Sequence, residues 1–346
     1  VVEGCKGASV TDLSKHLQPT AAALHAMYER DAEDWRRPHL GASYVGHKCD
    51  RYIWQSFRWV APPGFDGRML RLLSRGDREE VWIIDDLRRL GLEVWDLDED
   101  GDQFRVSWGH FAGHADCIVR GLSEAPKTPH LGEVKTASIK SFDRMLEKGV
   151  KRAKPEHYAQ MQAYMHGLEL TRAFYIVVCK NDDRLHTERV EYDRKFAEGL
   201  VEKAQRIIDA DDPPARMDSK DYPPCKYTSK DGTEWPCDFY AQCWEGASVE
   251  KNCRTCVSAT PGDATPEEGG TPHWDCSHRG CNLDADEQRS GCDGHLTLPA
   301  LFVDAQVVEV GEDARRITYQ RADGSRFVDG GGRPADGTHK EQEQEL

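Results

Sequence analysis

Eight of the chain's twelve cysteines, Cys225, Cys237, Cys243, Cys253, Cys256, Cys276, Cys281 and Cys292, crowd into a stretch with few residues able to build a core. Beyond DADDPPARMDSKDYPP (209–224) the text turns to sparse aromatics, cysteines and turns. A segment of that kind buries too little apolar surface to order itself, so bound metal is the expected source of its folding energy. In a chain read as intracellular, this crowding points to thiolate ligation; a secreted disulfide module is the alternative. Cys5 stands alone, while Cys117 and Cys179 sit in apolar runs as small core residues.

The first 210 residues read differently. Residues 11–35 have a helical pattern that Pro19 bends or restarts. A short helix is expected beside Cys49, and a long one over about 67–90, where Leu70, Leu73, Val81, Ile84 and Leu87 make the apolar side and Gly91 a stop. Strand-like runs follow: LEVWDL, QFRVSWGHF, GHADCIVRGL and HLGEVKTA, with Gly, Asp and Pro between them. Residues 138–149 read as a helix, and Pro155 opens a stronger one. RAFYIVVCK and HTERVEYD return to strand, and 194–210 to helix. This order predicts an α/β core with a mixed central sheet flanked by helices.

Composition narrows the class. With 38% apolar and 31% charged residues the chain reads as a soluble one. Its apolar runs are shorter than a bilayer span, and its first residues lack the basic-then-apolar order of a secretion signal, so no membrane partner and a cytoplasmic location are expected. A net charge of −15 argues against coating nucleic acid through the average field. Local positive tracts run against that average. Between Lys135 and Lys154 seven basic residues meet only Asp143 and Glu147, and Arg68, Arg71, Arg75 and Arg78 share one side of a helix. A solvated helix face is the plain account of that stripe; a phosphate backbone is the functional one.

Within HLGEVKTA, Glu133 and Lys135 leave the same face of a strand, which a buried apolar strand would not favour. They are either a structural ion pair or partners in one chemical task. Asp116 ends GHAD shortly before. Two carboxylates on neighbouring strands suit a hard divalent ion such as Mg²⁺ or Mn²⁺, with the lysine on the attacking water or a phosphate oxygen. Gly76 and Glu80 lie four apart on the long helix, with Gly76 expected to allow close approach and Glu79 a competing ligand. Gln160 and Tyr164 repeat that spacing on the later helix, as polar groups for substrate or as core tips.

Taken in order, RGDREE around Gly76–Glu80, GHAD ending at Asp116, GEVK with Glu133 and Lys135, and QMQAY over 160–164 resemble the PD-(D/E)XK nuclease superfamily. The resemblance is to its RecB-like branch, with AddB-type and phage exonucleases, and spans roughly residues 43–245. It implies a restriction-endonuclease-like core in which Glu80, Asp116 and Glu133 hold the catalytic metal. Lys135 is the implied catalytic cation, and Gln160 and Tyr164 support substrate and geometry. It implies DNA as partner and exonucleolytic cleavage in phage recombination, repair or DNA processing, alongside phage recombination or replication proteins. A structure-directed endonuclease and a noncatalytic DNA-binding or assembly protein are the competing readings. CDRYIWQSFRW and CDFYAQCW resemble the split cysteine pattern of the same branch, which implies a [4Fe–4S] cluster on Cys49, Cys225, Cys237 and Cys243. Four thiolates also suit zinc.

A second group begins at NCRTCVS. Cys253 and Cys256 form a paired knuckle, and Cys276 with Cys292 would complete a structural Zn²⁺ site, Cys281 and His295 being substitutes. The expected organisation is a helical segment (1–42), the nuclease-like core (43–245), a cysteine-rich module (246–300), a small hairpin region (301–329) and a flexible tail (330–346).

Overall fold

The structure, a computed structural model, describes residues 19–32, 34–262, 272–312 and 315–330. Cys5, the run from 11 to 18 and nearly all of the expected tail lie outside the described residues. Helix α1 (Pro19–Arg30) precedes strand β1 (Leu40–Gly41) and α2 (Asp50–Phe57), with Cys49 at the N-cap of α2. The long helix α3 (Gly67–Arg89) starts where the Asp66 carboxylate accepts the Met69 N–H at 2.7 Å and ends before Gly91, whose φ of 84° suits glycine.

A five-stranded sheet in the order β2-β5-β6-β7-β8 forms the centre: β2 (Glu93–Trp95), β5 (Cys117–Arg120), β6 (His130–Ala137), β7 (Arg172–Cys179) and β8 (Leu185–Glu191). The β6–β7 pair is parallel and the others antiparallel, so the sheet is mixed. Parallel strands need a crossover, which α4 (Ile139–Lys148), α5 (Val150–Ala153) and α6 (Pro155–Gly167) supply. Helix α7 (Arg194–Ile208) follows β8. QFRVSWGHF, read as one strand, is a tight hairpin of β3 (Arg105–Trp108) and β4 (Phe111–His114) that pairs with β1 as a separate small sheet.

Alternation along β6 sorts its two faces. Val134 turns towards α3 and packs with Ile83, Leu87, Val119, Phe174, Ile176 and Val178. Glu133 and Lys135 therefore turn to the other face, where Tyr175, Met161 and Tyr164 belong to the larger core.

The chain beyond α7 forms β9 (Lys226–Thr228), β10 (Glu234–Pro236), α8 (Tyr240–Trp244), β11 (Ala259–Gly262), β12 (His273–Cys276), β13 (Cys281–Leu283), α9 (Ala285–Ser290) and the sheet β14 (Ala305–Val310), β15 (Arg316–Arg321), β16 (Arg326–Gly330). The hairpin expected within 301–329 is thus three strands. The expected cysteine-rich module is not a core of its own: Cys253, Cys256, Cys276 and Trp274 share one apolar cluster with Trp54 and Phe57 of α2. Arg254 fastens them. Its guanidinium lies 3.6 Å from the Trp59 ring centroid and 4.9 Å from that of Trp274, and donates to the carbonyls of Phe57 (2.9 Å) and Pro38 (2.8 Å) and to Gln288 Oε1 (3.0 and 2.8 Å). Among the described residues no helix is long and apolar enough to cross a membrane.

Candidate active site

Asp116 lies not within a strand, as the sequence suggested, but in a bend between β4 and β5. That bend lets its Oδ2 accept the Val134 N–H of β6 at 2.8 Å, which fixes the carboxylate against the strand carrying Glu133. Gly132 allows the approach: a Cβ there would stand 2.3 Å from Cys117 Sγ. Lys135 Nζ then lies 2.5 Å from Glu133 Oε1 and 3.9 Å from Asp116 Oδ2. Two carboxylates and an amine from neighbouring elements share one spot.

Their surroundings are costly for charge. The Glu133 side chain is 0% exposed against 27% for Lys135. Among the described residues its Oε2 has no hydrogen-bond partner, and Oε1 has only the Lys135 ammonium beside it. Burial, then the Asp116 charge, pushes the Glu133 pKa up, with Lys135 opposing. Burial alone would lower the Lys135 pKa, but Glu133 and Asp116 outweigh it and hold the amine protonated. Glu80 of α3 belongs to the same field: burial and then Asp116 raise its pKa. Glu79 instead lines a separate cleft with Arg71 and Arg75. Gly76 does not make room for anything, since a Cβ there would meet no atom within 4 Å.

From α6, Gln160 Nε2 donates to the Tyr164 hydroxyl at 3.3 Å, both side chains being buried. Gly113 of GHAD admits the tyrosine, because a Cβ there would lie 2.7 Å from its ring and its hydroxyl. Burial first, then Glu133, raises the Tyr164 pKa. A cleft of about 650 Å³ opens here, lined by Lys135, Gln160 and Tyr164 and by Arg37, His39 and His114. Sequence reasoning missed His157, which lines this cleft and whose Nδ1 is 2.6 Å from the Tyr175 hydroxyl. Burial, then Lys135 and Lys154, lowers its pKa to about 3. Its place three residues before Gln160, on the same side of α6, was the available signal.

The donor set suits a hard divalent ion: carboxylates from three elements, one of them buried with an oxygen that lacks any donor. Among the described residues no three Asp, Glu, Cys or His side chains stand arranged around an ion position, and the Lys135 ammonium lies between Glu133 and Asp116.

The cysteines gather at two places, and every described cysteine is a free thiol. Cys49, Cys225, Cys237 and Cys243 line one small pocket of about 20 Å³. The long interval between Cys225 and Cys237 is the β9–β10 hairpin, which returns the chain so that the Cys237 N–H donates to the Cys225 carbonyl at 2.8 Å. Burial and then the neighbouring acidic groups push Cys237 up to about 12. In the second group, burial and then the charges of Cys292, Cys256 and Cys276 push Cys253 up to about 12. Cys281 and Cys292 are both exposed, and His295 Nε2 is engaged with Thr255 Oγ1 at 3.2 Å.

No protein-family model matches the chain, and no curated protein matches it. Solved structures are similar over part of it. An alkaline exonuclease (LHK-Exo) from Laribacter hongkongensis has a TM-score of 0.36 at 16% identity, covering 54% of this chain and 90% of that one. A phage related exonuclease from Haemophilus somnus 129PT has a TM-score of 0.29 at 14% identity, covering 57% and 81%. Likeness at this level decides nothing about activity, which has to be judged from the site.

Proposed function

We propose that this chain is a divalent-metal-dependent deoxyribonuclease that hydrolyses phosphodiester bonds, acting as an exonuclease in phage recombination, repair or DNA processing in the cytoplasm. One observation carries the reading: the fully buried Glu133 carboxylate, facing Asp116 and Lys135 and left without a hydrogen-bond donor for Oε2. A carboxyl group kept in that position at such cost is more readily explained by chemistry than by stability.

In this mechanism Asp116 and Glu133 hold Mg²⁺ or Mn²⁺, with Glu80 completing the set from α3. The ion, when bound, lowers the pKa of water and offsets charge on the phosphoryl group. Lys135 keeps its proton and orients the attacking water or a phosphate oxygen. Gln160 and Tyr164 present an amide and a phenol to the substrate from the cleft wall. The thiols of Cys49, Cys225, Cys237 and Cys243 hold a [4Fe–4S] cluster that ties α2 to the segment after α7, and Cys253, Cys256, Cys276 and Cys292 hold a structural Zn²⁺. Two groups of free thiols, of which Cys225, Cys243, Cys253, Cys256 and Cys276 are buried, Cys49 and Cys237 half-buried and Cys292 exposed, support both assignments.

The test is digestion of end-labelled linear DNA beside closed circular DNA, with Mg²⁺ or Mn²⁺. Loss of linear DNA from its ends with intact circles is the expected result. Cut circles would move the assignment to an endonuclease, and binding without hydrolysis in either metal would overturn it. Iron and zinc content of anaerobically purified protein decides between cluster and zinc at the first cysteine set.

A further inference from the structure

Away from the acidic centre, α3 carries a second set of chemistry-bearing residues. Arg71, Arg75, Arg78 and Trp82 recur at intervals of four, three and four, which puts them on one stripe of the helix. Glu80 lies on the opposite side of the same helix. The stripe forms one wall of a cleft of about 830 Å³, to which Arg68 also contributes, and Val178 and Leu185 at the ends of β7 and β8 form the other.

Three features separate this stripe from an ordinary solvated face. Arg68, Arg71 and Arg75 have no carboxylate partner among the described residues, whereas Arg88 and Arg89 further along α3 are paired with Asp96 and Asp86. Trp82 holds its ring in solvent at 65% exposure, beside those guanidinium groups. The cations also continue towards the acidic centre: Lys180, just past β7, is repelled by both Arg75 and Lys154, and Lys154 with Lys135 acts on His157. Glu79, Asp86 and Asp183 border the cleft and narrow the positive region to its α3 wall. In a chain of net charge −15, such a run stands against the average.

We propose that this cleft is a rail for single-stranded DNA, its phosphates lying along Arg68, Arg71 and Arg75 and one base stacking on Trp82. The inference deepens the hydrolytic reading above, and rests on it for the polymer's identity. A duplex hides its base faces within the stack, so an exposed indole beside phosphate-binding arginines selects an unpaired strand. The rail would hold a strand that has left, or not yet reached, the carboxylates.

The experiment is anisotropy with labelled (dT)20 and with a blunt hairpin duplex, using the full chain in EDTA over a range of salt. Trp82→Ala is expected to weaken (dT)20 binding about 5- to 150-fold, as removal of one stacked base does, with the salt slope kept and duplex binding little changed. Trp82→Phe, which keeps a stacking face, is expected to recover most of it. Arg71→Gln/Arg75→Gln should flatten the (dT)20 salt slope by about 1.4, roughly 0.7 for each phosphate no longer neutralised. Wild-type affinity in Trp82→Ala, equal weakening for both probes, or no (dT)20 binding by the wild type would overturn the rail. Digestion of linear DNA by the same wild-type preparation separates the two claims. Digestion with no Trp82 effect sinks the rail alone, and a Trp82 effect without digestion supports the rail and sinks the hydrolytic reading.

Discussion

Replacing Lys135 by methionine removes the only cation beside the buried Glu133 carboxylate among the described residues. The side chain keeps much of its length, so packing changes little. Glu133 then faces Asp116 alone, and the cheapest escape is to take up a proton. Holding a carboxyl protonated costs about 1.4 kcal/mol per pH unit above its ordinary value. At about pH 7.5, roughly three units above that value, the ceiling is about 4 kcal/mol, the same order as breaking a buried ion pair. At about pH 5 the same reasoning leaves under about 1 kcal/mol.

The sign follows from linkage. The folded-state pKa of Glu133 is raised, so the folded chain keeps a proton that the unfolded chain releases. Stability is therefore lost as pH rises from the unfolded value towards the folded one, and is untouched below both. Lys135 limits this rise in the wild type; without it the rise is larger, so the gap between variant and wild type opens with pH. Urea denaturation in EDTA between about pH 5 and pH 8 measures it. The expected gap grows from under about 1 to about 3–4 kcal/mol, and Lys135→Met/Glu133→Gln, which removes both partners, closes most of it. A gap of constant size across that range would refute the electrostatic account and leave Lys135 a packing residue.

Gly113→Ala should cost about 1–3 kcal/mol, because its Cβ would lie 2.7 Å from Tyr164; thermal denaturation reads the loss, and an unchanged Tm would show that the tyrosine moves freely. Cys292→Ser should lower bound zinc in elemental analysis while Cys281→Ser leaves it at the wild-type level; the reverse pattern would exchange the two ligands. Arg254→Leu orphans the carbonyls of Phe57 and Pro38, so a loss of about 3 kcal/mol or more in a single cooperative transition is expected. Two separate transitions in calorimetry would show instead that the cysteine-rich segment folds on its own.

The legible parts of this fold are those where one local rule suffices. Pro155 and Gly91 mark helix limits because capping acts within a few residues, but the apolar side expected on α3 is only partly right: Ile84 and Leu87 are buried together with Ile83, while Leu73 and Val81 face solvent. HLGEVKTA reads as a strand despite its charges, because Val134 and its neighbours still alternate. What failed needed distant partners. QFRVSWGHF looks like one strand until Gly109, at φ 59°, turns it into a hairpin whose companion, β1, lies some seventy residues earlier. Asp116 reads as a strand residue because Cys117–Arg120 follows at once; only the hydrogen bond to Val134 shows why the bend precedes it.

The same distinction separates the two kinds of site. Glu133 and Lys135 stand out because period two alone puts them on one face, and unpaired charges are too costly for a buried strand. The cysteine sets give no such local cue. The interval between Cys225 and Cys237 is long in sequence, but it closes as a hairpin, and both residues line one pocket. Likewise nothing in CRTC says that Arg254 between the thiols is the residue binding the segment to Trp59 and Trp274. Spacing measures distance along the chain, whereas a thiol cluster is selected by distance across it. A hairpin of any length can satisfy the second while disguising the first, so nearness of these cysteines is read from the pocket they line and not from the interval.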